Sequence, residues 1–468
     1  MIFVLIPLYN GIEYLPEAIY SVLQQTYTHW KILVGINGHG DKSHHLANQV
    51  RAISNDGRIE VIIQPPEINN KSKSLNHLVG LVGLLGSGTC VKGDWVALLD
   101  ADDAWLPRKL EAQVAAASEN PQCEVIGTHC AYFGSLSGSP RIPLGLIPRK
   151  ATLEVNPIIN SSVLLKTKYA RWNELLFKEG YEDYELWLTL DFQGVRMFNV
   201  PEILVRHRIH PTSFFNTNTG DTTALKKRFK ALYENTTCVV TAYYPLSKSK
   251  HGAAAYKIWY TNFFRAVTAP VICFCPPEME AEFRNLTGPN VRLVIREFDS
   301  FPMMSAEQME KWRSWHVIDP ERHIHSPELY AIWATKPDFV LEAMCLHEAP
   351  VYVWCDIGCF REPGRPGSFE YTPTYITPGK MTCLGIVSTI GGGVLAGDRN
   401  AWRIFATQYS TQLGNSLHGK DQDIFKRILT DETATIIYPH DRFGDPWFFL
   451  TYVFSTLPQQ QPQAQKKQ

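Results

Sequence analysis

The chain has 468 residues, of which 45% are hydrophobic and 19% are charged, and its net charge is -1. That length exceeds one ordinary hydrophobic core and predicts two domains, while the near-neutral charge provides no basic surface and argues against nucleic acid as a partner. Ten cysteines occur without a Cys-x-x-Cys pair or histidines at zinc spacing, so the sequence predicts reduced thiols and a cytoplasmic location.

The amino terminus, residues 1–7, is apolar, but it lacks a basic segment and meets a proline too early for a signal peptide. It therefore predicts a first β-strand. Because no apolar run in the sequence is long enough to span a bilayer, we expect no transmembrane segment, and any membrane contact would be peripheral.

Strands and helices alternate through the first half of the chain. Apolar runs predict strands at 1–7, 31–36, 58–63 and 95–99, and helical spacing predicts helices at 14–23, near 44 and at 74–85. This alternation is typical of a parallel α/β sheet. The turns at Pro7, Asn37 and Asp100 would meet at its carboxyl edge, where open parallel sheets bind ligands.

Three carboxylates, Asp100, Asp102 and Asp103, crowd the exit of the fourth strand. Like charges this close repel one another, so the cluster indicates a hard cation such as Mg²⁺ or Mn²⁺ that also binds substrate phosphates. Asp103 has a second interpretation as a turn or helix-start carboxylate, because Pro107 follows at a favoured first helical position. The sequence thus predicts a metal and diphosphate site.

Four ordered blocks within residues 1–215 closely resemble glycosyltransferase family 2. The blocks are Ile6-Pro7-Leu8-Tyr9-Asn10-Gly11, Ser21-Val22-Leu23-Gln24-Gln25-Thr26-Tyr27, Leu99-Asp100-Ala101-Asp102-Asp103 and Tyr181-Glu182-Asp183-Tyr184-Glu185-Leu186-Trp187. The resemblance implies a GT-A nucleotide-sugar fold and inverting chemistry. An inverting transfer needs one carboxylate to take the proton of the acceptor hydroxyl and a cation to stabilise the departing diphosphate.

The resemblance implies a role for each matched residue. Asp102 would bind the Mn²⁺ or Mg²⁺ ion, with His210 beside it on the metal or the phosphates, and Asp100 would lie near the ribose or the sugar. Asp183 stands at the position of the catalytic base. The nucleotide would be framed by four further residues: Pro7, Tyr9, Asn37 and Lys73.

The end of the second strand departs from the family pattern. Where the family often has paired aspartates, one of which reads the nucleobase, this chain has Ile36-Asn37. An asparagine amide can still bond a base edge, but its donors and acceptors differ from those of a carboxylate.

Most of these residues also have a purely structural interpretation. Glu182 and Asp183 could form the solvated first turn of a helix over residues 184–190. Single lysines and histidines are commonly surface charges or satisfied side chains, and tryptophans are commonly packing residues. The residues in question are Lys71, Lys73, His207, His210, Trp95 and Trp105.

The chain divides near a basic helical segment. The predicted parts are a family 2-like domain at 1–220, a linker at 221–235, a second domain at 236–455 and a disordered, glutamine-rich tail at 456–468. Strands predicted at 237–243 and 270–275 flank a helix at 256–264, so the βα alternation starts again. The predicted fold class is α/β, with two GT-A-like, mostly parallel domains in tandem.

The second half resembles the HtrL/YibB-like bacterial family over residues 236–455 and, more distantly, family 8 glycosyltransferases. The matched features are a strand that ends in Asp356, a glycine-rich strand at 391–393, a helix start at Asp421 and a late His440. Asp356 and His440 could share a cation, and the glycines would let a ligand approach the backbone. Alternatively, His440 is structural, Asp421 only begins a helix, and the glycines form a bulge.

We therefore expect a metal-dependent, inverting glycosyltransferase that moves a sugar from a nucleotide-diphosphate donor to a hydroxyl of a glycan or other acceptor. Two interpretations of the second half stay open. It is a second transferase, which would make the chain bifunctional, or a non-catalytic module that binds the glycan or a partner enzyme.

Overall fold

The computed structural model describes residues 1–38, 40–85, 95–174, 181–211, 221–246, 248, 251–386, 388–415, 419–439 and 445–457. The chain folds as two compact units, Met1–Lys230 and Ala231–Gln468. Their boundary falls within the predicted linker, inside a helix over Thr223–Tyr233. Of the predicted tail, all but residues 456 and 457 lie outside the described part of the chain.

The described residues of the N-terminal unit form a nine-stranded sheet with helices packed against it. The strands are β1 Ile2–Leu8, β2 Trp30–Ile36, β3 Ile59–Ile63, β4 Trp95–Leu98, β5 Ala104–Trp105, β6 Cys123–Gly134, β7 Gly145–Leu146, β8 Leu164–Lys166 and β9 Arg196–Ile209. The helices are α1 Leu15–Leu23, α2 Ser43–Ile53, α3 Lys71–Leu85, α4 Lys109–Glu119, α5 Glu182–Phe192 and α6 Thr223–Tyr233.

Strand order in this sheet reverses beside β1. The order runs β3-β2-β1-β4-β8-β6-β9-β5, and β1 pairs in parallel with β2 on one side and β4 on the other. Helices cover both faces of this part of the sheet, which is why β1 is an almost unbroken buried apolar run. The crevice beyond the ends of β1 and β4 is therefore a topological switch point, the usual ligand site of such sheets.

The described residues of the C-terminal unit form a seven-stranded sheet. Its strands are β10 Thr237–Ala242, β11 Val271–Cys275, β12 Val291–Ile295, β13 Val351–Cys355, β14 Met381–Ile386, β15 Thr389–Asp398 and β16 Ala434–Ile437. Its helices are α7 Ala253–Ala266, α8 Pro277–Leu286, α9 Ala306–Ile318, α10 Pro327–Leu346, α11 Arg399–Asn415, α12 Asp421–Ile428 and α13 Phe449–Ser455. The order β12-β11-β10-β13-β15-β14-β16 reverses beside β10, which pairs in parallel with β11 and β13.

The predicted α/β class with two mostly parallel sheets is confirmed. The largest departures are β6 and β9, two long strands that the sequence patterns do not predict, and α3, which begins three residues before its predicted start at 74. The described cysteines are free thiols. In the described part of the chain, no helix combines the length and the apolar character needed to cross a bilayer.

Candidate active site

The turns after β1 and β2 meet at the switch point of the N-terminal unit. Tyr9, which follows β1, is 54% exposed, and its ring lies over Gly38. A β-carbon at Gly38 would come within 2.9 Å of that ring, and the backbone φ of +76° there also favours glycine. Glycine thus lets the aromatic side chain border the crevice, while Pro7 pairs with Gly35 inside the sheet.

Asn37 is buried beneath this edge. Its backbone N–H donates to the backbone carbonyl oxygen of Leu8 at 3.1 Å, which fixes the position of the Asn37 backbone. Its side-chain Oδ1 is also buried and has no hydrogen-bond partner among the described residues. Because an unpaired buried acceptor costs free energy, this atom is suited to a hydrogen-bond donor on a bound ligand.

The two lysines at the start of α3 have different surroundings. The backbone N–H of Lys73 donates to Oδ1 of Asn70 at 2.8 Å, as expected at a helix N-terminus, and the Lys73 ammonium donates to the carbonyl of Glu67 at 3.2 Å. Lys71 instead reaches the acidic cluster, with its Nζ 2.7 Å from Oδ1 of Asp100. From the sequence alone, Lys71 is interpreted only as a surface charge. Its contact with Asp100 arises because α3 begins at Lys71.

Lys71 and Asp100 hold each other in the charged state. Burial disfavours the charge on Lys71, but attraction by Asp100 and then Glu182, whose Oε1 lies 3.9 Å away, outweighs it and raises the pKa of Lys71. Burial likewise opposes ionisation of Asp100, but Lys71 and a hydrogen bond from Asn160 Nδ2 at 3.1 Å lower its pKa. Asp100 is therefore a fixed anion at the end of β4.

Asp102 faces a histidine. Nε2 of His210, just beyond β9, lies 3.0 Å from Oδ2 of Asp102. Burial raises the pKa of Asp102, and the nearby negative charges of Asp103 and Asp100 raise it further, whereas the His210 contact lowers it. Asp102 thus lies in a surplus of negative charge that a cation would relieve.

Asp103 anchors the strand that leads to His210. Its Oδ1 accepts a hydrogen bond from the backbone N–H of Arg208 at 2.8 Å, and its Oδ2 lies 2.9 Å from Nδ1 of His207. These bonds tie the turn after β4 to the end of β9. Asp103 is thus a buried structural carboxylate, although it serves a strand rather than α4, which begins at Lys109.

The pair of Asp102 and His210 fits a divalent cation. A carboxylate oxygen and an imidazole nitrogen already lie together, and Mg²⁺ commonly uses one or two protein carboxylates with water and substrate phosphates as its other ligands. In the described ranges, no three His, Cys, Asp or Glu side chains gather closely enough to hold a metal ion by themselves. A metal held by this pair would take its other ligands from water and from phosphate oxygens of a bound donor.

Asp183 lies in the first turn of α5, next to Glu182. Its Oδ1 accepts a hydrogen bond from the backbone N–H of Tyr184 at 2.6 Å. Burial raises the pKa of Asp183 to about 7, and the charge of Glu182 adds to this, while Lys71 opposes it. A carboxylate with this pKa can take a proton from a hydroxyl group near neutral pH.

The second-unit candidates are joined by a lysine that the sequence analysis did not single out. Lys336 of α10 is buried, and its Nζ lies 2.8 Å from Oδ2 of Asp421 and 3.3 Å from Oδ1 of Asp356. It also donates to the carbonyl of Gly392 at 2.8 Å. The sequence around it gives little signal, because the same helix also contains Glu328, Asp338 and Glu342. The predicted candidate His440 lies outside the described residues.

The comparisons with known proteins concern the N-terminal half. Residues 3–143 match the family model described as glycosyl transferase family 2. An uncharacterized glycosyltransferase of Haemophilus influenzae is 26% identical over 50% of this chain and 74% of its own length. The O-antigen biosynthesis glycosyltransferase WbnJ of Escherichia coli is 27% identical over 46% of this chain and 81% of its own.

Among solved structures, residues 1–349 of S. aureus TarS in complex with UDP-GlcNAc are similar at 14% identity. The match covers 50% of this chain and 71% of that one, with a TM-score of 0.38. Because this structural similarity is low, the assignment of the N-terminal region to a transferase depends on the sequence matches. The N-terminal region of this chain matches the glycosyl transferase family 2 model over residues 3–143, and its glycosyltransferase relatives support a transferase.

Proposed function

We propose that the N-terminal unit transfers a sugar from a nucleoside-diphosphate donor to a hydroxyl group of a glycan or another acceptor, with inversion at the anomeric carbon. The observation that carries the proposal is Asp183, a partly buried carboxylate with a pKa of about 7 beside the Lys71–Asp100 ion pair. The site thus places a base of suitable strength next to the fixed charges of Lys71 and Asp100, at the topological switch point of the sheet.

In this proposal Asp183 takes the proton of the acceptor hydroxyl. The hydroxyl oxygen then bonds to the anomeric carbon on the face opposite the diphosphate, and the bond from that carbon to the diphosphate oxygen breaks with its electron pair. Asp100 would accept a hydrogen bond from the ribose or the sugar, and Asn37 from the nucleobase. Asp102 and His210 would hold Mn²⁺ or Mg²⁺, which supplies positive charge to the leaving diphosphate.

A donor panel tests this proposal. UDP-, GDP-, CDP- and dTDP-sugars would each be added to the full chain with Mn²⁺ or with EDTA, and the melting temperature measured. A ligand that binds the native state raises the melting temperature. We expect one nucleotide class to stabilise the protein in Mn²⁺ and to release free nucleoside diphosphate when an acceptor is added. No stabilisation by any donor would contradict the proposal.

For the C-terminal unit we propose a second transferase activity, supported by Asp356 at the end of β13, where the strand order also reverses. The alternative is a non-catalytic module that binds the glycan or a partner enzyme. The full chain carrying Asp183→Asn distinguishes the second-transferase hypothesis from the binding-module hypothesis. Residual sugar transfer that disappears on adding Asp356→Asn indicates a second transferase, whereas glycan binding without turnover indicates a module.

A further inference from the structure

The C-terminal unit has a cavity at its own switch point. The cavity opens where β10 and β13 end, and it is lined by Tyr243 and Tyr244 after β10 and by Asp356 and Gly358 after β13. Its volume is about 190 Å³. One buried water molecule needs only about 10–15 Å³ of cavity volume, so this cavity has room for an organic ligand that contains a ring.

The walls of this cavity are largely aromatic and its polar group is a carboxylate. Tyr256, Trp259, Trp333 and Trp354 contribute ring surface. Asp356 is the acid, and its side chain is 37% exposed. Trp354 Nε1 donates to Oδ1 of Asp356 at 2.7 Å, on the oxygen that Lys336 also approaches. This leaves Oδ2 to accept from a ligand hydroxyl, while the rings pack against a flat ligand group.

The charges behind the cavity repeat those of the N-terminal unit. In each unit, a lysine from the helix before the switch-point strand pairs with the aspartate just after that strand and with an acidic residue in the first turn of a later helix. The two sets are Lys71, Asp100 and Glu182, and Lys336, Asp356 and Asp421. The C-terminal unit therefore has a lysine–aspartate pair at the same topological position, although burial raises the pKa of Asp356 whereas the pKa of Asp100 is lowered.

The two units differ two residues further along the chain. Asp102, the candidate cation ligand, follows Asp100 by two positions, and the residue two positions after Asp356 is Gly358. A β-carbon at Gly358 would lie 3.3 Å from the Trp259 ring, so an aromatic wall occupies the space where a carboxylate would begin. In addition, the Lys336 ammonium already lies 3.3 Å from Oδ1 of Asp356. Among the described residues that line this cavity, Asp356 is the one carboxylate, and the predicted cation candidate His440 lies outside the described part of the chain.

Positive charge is supplied instead by Arg361 in the cavity wall and by the buried Arg365 beside the same aromatic ring. The guanidinium groups of Arg361 and Arg365 lie 4.9 Å and 5.4 Å from the centre of the Phe448 ring, which lines the cavity together with Arg361. Arg365 is 5% exposed, and its Nε and Nη1 have no hydrogen-bond partner among the described residues. Buried guanidinium donors without acceptors favour a ligand with anionic oxygens, such as a phosphate.

We propose that this cavity binds a nucleoside diphosphate without a divalent cation. The ring portion would lie among the aromatic walls, a ring hydroxyl would donate to Asp356, and the phosphates would accept hydrogen bonds from Arg361 and Arg365. The inference deepens the proposed second activity, and it can fail separately, since a second transferase could bind its donor through a cation. A neutral glycan would leave the arginine donors unsatisfied, which is why a phosphorylated ligand is favoured.

The test is calorimetric titration of the full chain with UDP, GDP, CDP and ADP in EDTA. We expect saturable binding of at least one nucleotide, weakened roughly tenfold or more by Arg361→Gln and by Arg365→Gln. The matched control is Arg403→Gln, which removes an exposed guanidinium from α11 and should leave binding unchanged. Arg361 is itself exposed, so its variant keeps the test informative even if Arg365→Gln prevents folding.

Three results would overturn the inference. They are nucleotide binding in EDTA that survives Arg361→Gln at full affinity, nucleotide binding that occurs only with Mn²⁺ or Mg²⁺, and binding of neutral methyl pyranosides in the absence of any nucleotide binding. The melting temperature of each variant, measured in parallel, separates a lost contact from a lost fold. Sugar transfer is not part of the readout, so a failure here leaves the proposed activities to be judged by their own assays.

Discussion

Nζ of Lys71 lies 2.7 Å from Oδ1 of Asp100 and joins the first turn of α3 to the end of β4. The same ammonium lies 3.9 Å from Glu182, the neighbour of the proposed base Asp183. One lysine therefore connects the donor side of the site to the base side. We infer that the positive charge of Lys71 controls the ionisation of both Asp100 and Asp183.

Replacing this lysine tests the charge balance. Lys71→Met leaves Asp100 and Glu182 partly buried without their counter-charge, so both the fold and donor binding should weaken. Breaking a fully buried ion pair costs about 3–5 kcal/mol, and because Lys71 and Asp100 are 27% and 22% exposed, we expect about 2 kcal/mol. Urea unfolding measures the change in the free energy of unfolding.

Lys73→Met is the matched control. In the described structure its ammonium bonds only to the segment just before α3, at the carbonyl of Glu67 and at Oδ1 of Asn69, so its loss should change the free energy of unfolding by no more than about 0.5 kcal/mol. Equal effects of the two substitutions would show that the position of Lys71 beside Asp100 has no special importance.

The rate of transfer should depend on pH through Asp183. Its pKa of about 7 means that the carboxyl is mostly protonated below that pH, and a protonated carboxyl cannot accept the proton of the acceptor. We expect kcat/KM to be about tenfold lower at pH 6 than at pH 8. Donor binding measured over the same range should not follow this curve. A flat rate profile from pH 5.5 to 8 would contradict the assignment.

The same raised pKa predicts a change in stability without substrate. An unfolded aspartate has a pKa of about 3.9, so between that value and 7 the folded chain holds a proton that the unfolded chain has lost. The contribution of Asp183 to folding is therefore present at low pH and declines as the pH rises through 7. Asp183→Asn should reduce the fall in stability between pH 5 and pH 8, as measured by urea unfolding.

Metal dependence should follow His210. If Asp102 and His210 share a cation, His210→Ala raises the Mn²⁺ concentration needed for half-maximal donor binding by roughly tenfold or more, and EDTA abolishes the Mn²⁺-dependent part of donor binding. His29→Ala removes an exposed histidine from the same unit and serves as control. An unchanged Mn²⁺ requirement in the His210 variant would remove this residue from the site.

Much of the parallel half of the first sheet could be predicted. A strand buried on both faces leaves a continuous apolar run, and β1 and the strand before Asp100 both have one, so the edge where the turns converge follows from topology. The Asp102–His210 pair follows from the family resemblance. In contrast, β6 and β9 mix buried and exposed residues irregularly, with register shifts between them, and give no clean period.

The lysines could not be predicted, for a physical reason. An ion pair between distant segments has no sequence period, and Lys71 reaches Asp100 only because α3 begins three residues earlier than its apolar spacing indicates. Lys336 is harder still, since its partners Asp356 and Asp421 come from a different strand and helix. Burial turns an apparent surface charge into a structural counter-ion, and burial is a property of the tertiary fold.

The most direct test of the mechanism adds Asp183→Asn to the full chain carrying Asp356→Asn, which confines transfer to the N-terminal unit, with sugar transfer and donor binding measured side by side. Loss of a positioned general base typically lowers the rate 10²- to 10⁴-fold, so we expect a loss of roughly that size with donor affinity nearly unchanged. Glu202→Gln, an exposed carboxylate of the same unit, should keep wild-type transfer. Undiminished transfer by the N-terminal unit in Asp183→Asn would contradict the proposed mechanism.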